Sequence, residues 1–197
     1  MENMNWPNPL ILASTSPRRR ELLAAAGIDA IILSPKIDDA LFECGTLLPD
    51  VWVTSLAILK ARSLCTGSGS KVGTVLSADT VCVVDGEILG QPTDGEHARK
   101  MINSMTNRSH EVLTGWCLKS LDGTRSMHGC ETTIVFIGEI DQEDLNTYIE
   151  GGMWQGKAGG YNLSERLAAG WPLTWQGDPT SVMGLPMDRL TVELTRK

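Results

Sequence analysis

The stretch Leu12-Ala-Ser-Thr-Ser-Pro-Arg-Arg-Arg-Glu-Leu-Leu23 decides how the chain is read. An apolar run over Pro9 to Ala13 reads as a buried strand, and Pro17 to Ala26 reads as a helix stopped by Gly27. Ser16 is a good N-cap and Pro17 suits the first helical turn. The exposed N–H groups of such a turn carry partial positive charge and face outward, where an anion can sit. Hydroxyls from Ser14 to Ser16 add donors, and Arg18 or Arg19 can fork onto phosphate oxygens. A well-capped surface helix explains the same residues. Taken alone, the stretch supports both readings.

Working outward, Ala30 to Leu33 is a second short strand, and Pro49 to Cys65 is a helix with Lys60 on its apolar-leaning face. Gly73 to Ser77 and Val81 to Val84 read as two strands separated by Ala78-Asp-Thr80, followed by a turn at Asp85-Gly86. Asp94 caps a helix running to Met105. Glu111 to Leu121 and Cys130 to Ile137 are strands around the turn Asp122-Gly123, and Asp141 to Ile149 is a short helix. Gly151 to Met183 reads as loop with one strand near Trp171 to Trp175, and Pro186 to Thr195 closes the chain as a helix. Alternating elements followed by long paired strands indicate an α/β or α+β fold with a mixed sheet, not a helical bundle. Residues 1–197 are expected to form a single domain, with no repeat or linker.

Composition narrows the function. A net charge of -7 argues against general nucleic-acid binding, which makes the one run of three cations, Arg18 to Arg20, more informative as a seat for a small anion. No apolar run approaches the ~20 residues that span a bilayer. The five cysteines are scattered and form no CxxC pair, so a reduced, cytoplasmic setting is expected. His97 and His128 have no partner at metal-ligand spacing, so zinc is rejected, while His110 is open to a catalytic reading and to the commoner structural one for a lone histidine at a strand entry. No GxSxG elbow, Walker A or GxGxxG motif is present.

Two further places carry chemistry. Asp79, read as lying just past a strand, can hold a divalent metal, activate water, or do both, with the Thr80 hydroxyl beside it. Lys157, in Gly156-Lys-Ala-Gly-Gly-Tyr161, can approach a phosphate as a point charge.

In this order the pieces resemble the Maf family of nucleoside triphosphate pyrophosphatases. They are the opening stretch, Lys60-Ala, Ser77-Ala-Asp-Thr-Val, Gly86-Glu-Ile-Leu-Gly-Gln-Pro, Arg108-Ser-His-Glu-Val-Leu-Thr-Gly, Glu131-Thr-Thr-Ile-Val-Phe, Lys157-Ala-Gly-Gly-Tyr and Val182-Met-Gly-Leu-Pro. The resemblance implies an elongated two-lobed fold with a cleft, often a homodimer. It also implies Mg²⁺- or Mn²⁺-dependent release of pyrophosphate from a nucleoside triphosphate. Its nearest branch prefers dTTP and UTP. By resemblance, Ser14, Arg18, Arg19, Lys60, Thr80, Gln91, Lys157 and Ser164 bind substrate, Asp79 is catalytic, and Asp79 with Asp39 holds the metal. Three matched positions depart from the family: Asp39 stands where Glu is usual, Gln91 replaces Lys, and Leu163-Ser164-Glu165 replaces Ile-Gln-Gly. Trp171 and Trp175 are candidates for stacking on a base.

Overall fold

A computed structural model describes residues 4–38, 41–65 and 72–195. The strands are β1 (Leu10–Ala13), β2 (Ile31–Leu33), β3 (Thr74–Val84), β4 (Glu87–Leu89), β5 (Arg108–Ser120), β6 (Ser126–Ile137) and β7 (Leu173–Gln176). They form one mixed sheet in the order β2-β1-β3-β5-β6-β7, with β4 also on β3. The helices are α1 (Pro17–Ala25), α2 (Pro49–Cys65), α3 (Gly95–Met105), α4 (Gln142–Glu150), α5 (Leu163–Ala168), α6 (Pro179–Val182) and α7 (Met187–Thr195). None of the described helices is long and apolar enough to cross a membrane.

β3 is one continuous strand of 11 residues, where the sequence predicts a break at Ala78 to Thr80. The polar side chains that argue for a break find partners instead. The Ser77 hydroxyl donates to the Ala57 carbonyl at 2.6 Å, and Asp79 and Thr80 are held by the contacts described below. Asp79 therefore lies in mid-strand, opposite Gly115 of β5.

On one face the long strands β3 and β5 serve two cores, while Val75 and Cys117, and Val81, Val83 and Leu113, pack in two further clusters beneath α2. Leu76, Ala78, Trp116 and Leu118 pack with β1, α1 and α7. Cys82, Val84 and Val112 pack with α3, α4 and Trp171. The seam between them falls at Asp79 and Thr80. On its outer edge β3 pairs with β1 over Thr74 to Leu76 and with β4 over Cys82 to Val84. Residues 77–81 thus have no strand neighbour on that edge among the described residues, and the sheet is open there. This is the two-lobed arrangement with a cleft that the resemblance implies.

α2 covers one face of the sheet. A Cβ on Gly115 would lie 2.5 Å from the Val53 carbonyl carbon and oxygen, so only glycine lets this helix rest directly on β5. That approach carries Lys60, two turns further along, to Asp79.

The segment expected as loop, Gly151 to Met183, holds α5, α6 and a 3-10 turn at Ala158–Gly160. Side chains make its short helices: Asn162 caps α5 through Glu165 N–H, and Asp178 caps α6 through Thr180 N–H. At six and four residues, these helices are too brief for the 3.6-residue periodicity that reveals longer ones.

Candidate active site

The gap in the sheet opens onto a cavity of about 780 Å³, within the range of small-ligand pockets. One wall is the β1–α1 turn with Ser14, Arg18 and Arg19. The floor is Lys60, Asp79 and Thr80, and the far wall is Tyr161, Asn162 and Glu165.

Ser14 is buried and its hydroxyl accepts the Ser16 N–H at 3.1 Å. Ser16 is the N-cap of α1 by position, yet its side chain makes no capping bond. Ser14 accepts from the N–H of the N-cap residue itself, which tightens the turn and leaves the first-turn N–H groups of α1 without a side-chain cap. Arg19 is braced on three sides: it donates to the Gly184 carbonyl at 2.8 Å, to Thr80 Oγ1 at 3.3 Å and to Ser14 Oγ at 3.4 Å. Gly184 has φ +114, a conformation that other residues rarely adopt, and it aims that carbonyl at the guanidinium. Arg18 donates across the cavity mouth to the Gly156 carbonyl at 3.4 Å.

Thr80 belongs to a relay. Thr114 Oγ1 donates to the Ser181 carbonyl at 2.8 Å, so in the 2.9 Å contact between the two threonines Thr80 is the donor. Its single proton is thus occupied, and Thr80 presents only acceptor lone pairs.

Lys60 Nζ donates to Asp79 Oδ1 at 2.5 Å, with both side chains largely buried. Successive strand residues face opposite sides: Asp79 meets Lys60 of α2 and Thr80 meets Arg19 and Thr114, and the open edge lets both reach the cavity. Asp79 Oδ2 has no partner among the described residues and is the oxygen left to a ligand.

Tyr161 is fixed from behind by His110, whose Nε2 lies 2.7 Å from the Tyr161 hydroxyl. Burial pushes the His110 imidazole down to about 4, so it stays neutral, in keeping with the structural reading. Unfolding releases it to an ordinary value near 6.5. The unfolded chain then binds the extra proton, and stability falls as pH drops from about 6.5 to about 4, by as much as ~3 kcal/mol. Chemical denaturation at pH 7 and pH 4.5 is expected to show a smaller acid loss in His110→Gln than in the unaltered protein. An equal loss in both would assign the acid sensitivity elsewhere.

The model of the family described as Maf-like protein matches residues 9–197. The chain belongs to the Maf family. It is 38% identical over 187 residues to a dTTP/UTP pyrophosphatase of Symbiobacterium thermophilum, an overlap of 95% of this chain and 93% of that one. The dTTP/UTP pyrophosphatase of Ruminiclostridium cellulolyticum is 36% identical over 92% of both chains. That of Pyrococcus furiosus is 35% identical over 90% of both.

In this Maf chain, Ser14, Arg18, Arg19, Lys60, Asp79, Thr80 and Gln91 converge on the one cavity. Two expected residues do not line it. Lys157 is buried and ion-paired to Glu165, so the carboxylate at a departed position takes the charge expected to meet phosphate. Ser164 turns its hydroxyl onto Asn162 Oδ1 at 2.8 Å. Neither tryptophan lines it either: Trp171 is packed edge-on against Tyr148, and Trp175 is half-exposed on β7. Asp39 lies outside the described residues. Asn162 and Thr114 escape a sequence reading because neither stands in a charged or glycine-rich pattern. Glu165 is visible there only as an added charge.

Proposed function

We propose that the protein hydrolyses nucleoside triphosphates between the α- and β-phosphates, releasing a nucleoside monophosphate and pyrophosphate. The observation that carries this reading is the Lys60–Asp79 pair on the floor of a cavity walled by the Ser14 to Arg19 turn. Membership of the Maf family and the names of the relatives support the same reaction. Water attacks the α-phosphorus, the bond to the bridging oxygen breaks, and pyrophosphate leaves with the electron pair. Arg18, Arg19 and the α1 N–H groups hold phosphate oxygens in the transition state. Lys60 keeps Asp79 oriented toward the reacting phosphate.

Among the described residues no three His, Cys, Asp or Glu side chains converge as a self-contained metal site. A Mg²⁺ bound with a triphosphate needs only one or two carboxylates beside the phosphates, and Asp79 Oδ2 suits that demand. Mg²⁺ or Mn²⁺ arriving on the substrate would neutralise phosphoryl charge. Asp79 Oδ2 either holds that ion or takes the proton from water.

A panel of natural and modified triphosphates with Mg²⁺ or Mn²⁺ tests the proposal. Pyrophosphate release from at least one is expected, and none from a folded protein overturns it. Arg19→Lys keeps the charge and loses the fork between Gly184 and Thr80. It should lower kcat/KM about ten- to a hundredfold, with the melting temperature checked in parallel. A second reading, nucleotide binding with slow turnover, draws on the pairing of Lys157 with Glu165. It predicts calorimetric binding that Asp79→Asn leaves unchanged.

A further inference from the structure

Across the cavity mouth from Arg18 stands a wall made by residues 153–160, which run from just past α4 into the 3-10 turn. This segment contains no strand or α-helix, yet it presents Gln155, Gly156 and Ala158 to the cavity. Its Gly156 carbonyl receives Arg18. Both ends of the segment are tied to Tyr148 of α4, which is fully buried. The Tyr148 hydroxyl donates to the Gly160 carbonyl at 2.8 Å and lies 3.2 Å from the Met153 carbonyl. A phenol has one proton, so a single hydroxyl serves the two ends together.

Arg166 holds Tyr148 in turn. Its guanidinium lies 4.3 Å from the centre of the Tyr148 ring and 5.3 Å from that of Trp171, within cation–π range of both. Nη2 reaches the Met153 sulfur at 3.8 Å, a weak acceptor. Arg166 is only 7% exposed, its Nε has no partner, and no carboxylate pairs with it among the described residues. The neighbouring carboxylate, Glu165, goes instead to Lys157 of the same segment. A buried cation without a counter-charge is costly, and a methionine or leucine would fill the space at less cost. Packing alone therefore does not account for an arginine here. A second grip on the segment does: α5 holds it through Glu165 on Lys157 and through Arg166 on Tyr148 and Met153.

We infer that Tyr148, steadied by Arg166, is a positioning residue for the reaction: it sets the wall that keeps Arg18 extended across the cavity mouth. This rests on the proposed hydrolysis of nucleoside triphosphates, in which Arg18 binds phosphate. Neither Tyr148 nor Arg166 lines the cavity, so both act through segment 153–160. A guanidinium has five N–H donors, and one contact to Gly156 leaves the others for phosphate oxygens. An Arg18 held in place before substrate arrives loses less freedom on binding. The benefit is equal for bound substrate and transition state, so it appears in KM and not in kcat.

The test measures kcat and KM on the triphosphate turned over fastest, with a thermal melt of each protein. Tyr148→Phe removes the hydroxyl and keeps the ring under Arg166. Arg166→Met keeps the length and removes the cation, so one variant remains informative if the other folds poorly. Each should raise KM about three- to tenfold, the effect of freeing one ordered side chain, with kcat within about twofold. In an Arg18→Gln background neither change should raise KM further, because the guanidinium they position is gone. An unchanged KM in the folded variants overturns the inference, since a merely structural role lowers the melting temperature without moving KM. So does a rise that persists undiminished beside Arg18→Gln. If no triphosphate is hydrolysed, the proposed function fails, and calorimetric Kd values for UTP with Mg²⁺ in the same proteins decide the positioning role by the same ratios.

Discussion

Asp79→Asn should lower the rate of pyrophosphate release by about a hundred- to ten-thousandfold, the range for loss of a catalytic proton acceptor or an equivalent charge. The substitution keeps the shape of the side chain and an oxygen for Lys60, and removes the negative charge facing the cavity. It also removes the charge that Lys60, only 8% exposed, meets at 2.5 Å, so the folded state loses some stability. A thermal melt measured alongside separates that loss from lost chemistry. The variant also divides the two roles open to Asp79. If Oδ2 holds the metal, the residual activity requires more Mg²⁺ or Mn²⁺ for half-maximal rate. If it takes the proton from water, the metal demand of the residual activity is unchanged. Full activity in a folded Asp79→Asn protein would remove this residue from the reaction.

Gly115→Ala should be the most destabilising single methyl addition. The new Cβ would stand 2.5 Å from the Val53 carbonyl and 2.6 Å from the Thr54 nitrogen. All of these atoms are backbone, so no side chain can rotate away and helix α2 itself must lift. Overpacking of this kind costs about 1–3 kcal/mol, which in a chain of this size lowers the melting temperature by roughly 2–12 °C. Gly115 is the strand partner of Asp79, and α2 carries Lys60. Lifting the helix therefore also stretches the Lys60–Asp79 contact, and activity should fall beyond what the unfolded fraction explains. An unchanged melting temperature would show that α2 floats over β5 and does not rest on it.

Much of the framework was legible in the sequence because its signals are local. Asp94 caps α3 through the His97 N–H, and Asp141 caps α4, both from short-range donor–acceptor patterns. The turn between β5 and β6 is likewise written in Asp122-Gly123. The cavity wall from Ser14 to Arg19 was legible for the same reason, since a strand, a turn and a basic helix start are contiguous. What escaped depends on partners far away in the chain. Asp79 looks like a strand end until Gly115 and Lys60 are set beside it. Thr80 looks like a free hydroxyl until Thr114 and Ser181 complete its relay. Lys157 looks like a phosphate ligand, but Glu165 holds it. The pairing spans eight residues, yet its outcome depends on α5, which the composition of that region conceals.

The ion pairs inside the cavity also bear on how a substrate finds it. Among the described residues three cations line the cavity, Arg18, Arg19 and Lys60, and so do three carboxylates, Glu21, Asp79 and Glu165. With Lys157 offset by Glu165, the pocket carries little net charge of its own, inside a protein of net charge -7. A triphosphate approaching from a distance therefore meets repulsion and not steering, and attraction begins only at contact range. Screening by salt should then leave the capture rate unchanged or raise it, the reverse of an enzyme that draws anions in with a long-range field. The cations of this site are set out for recognition after arrival.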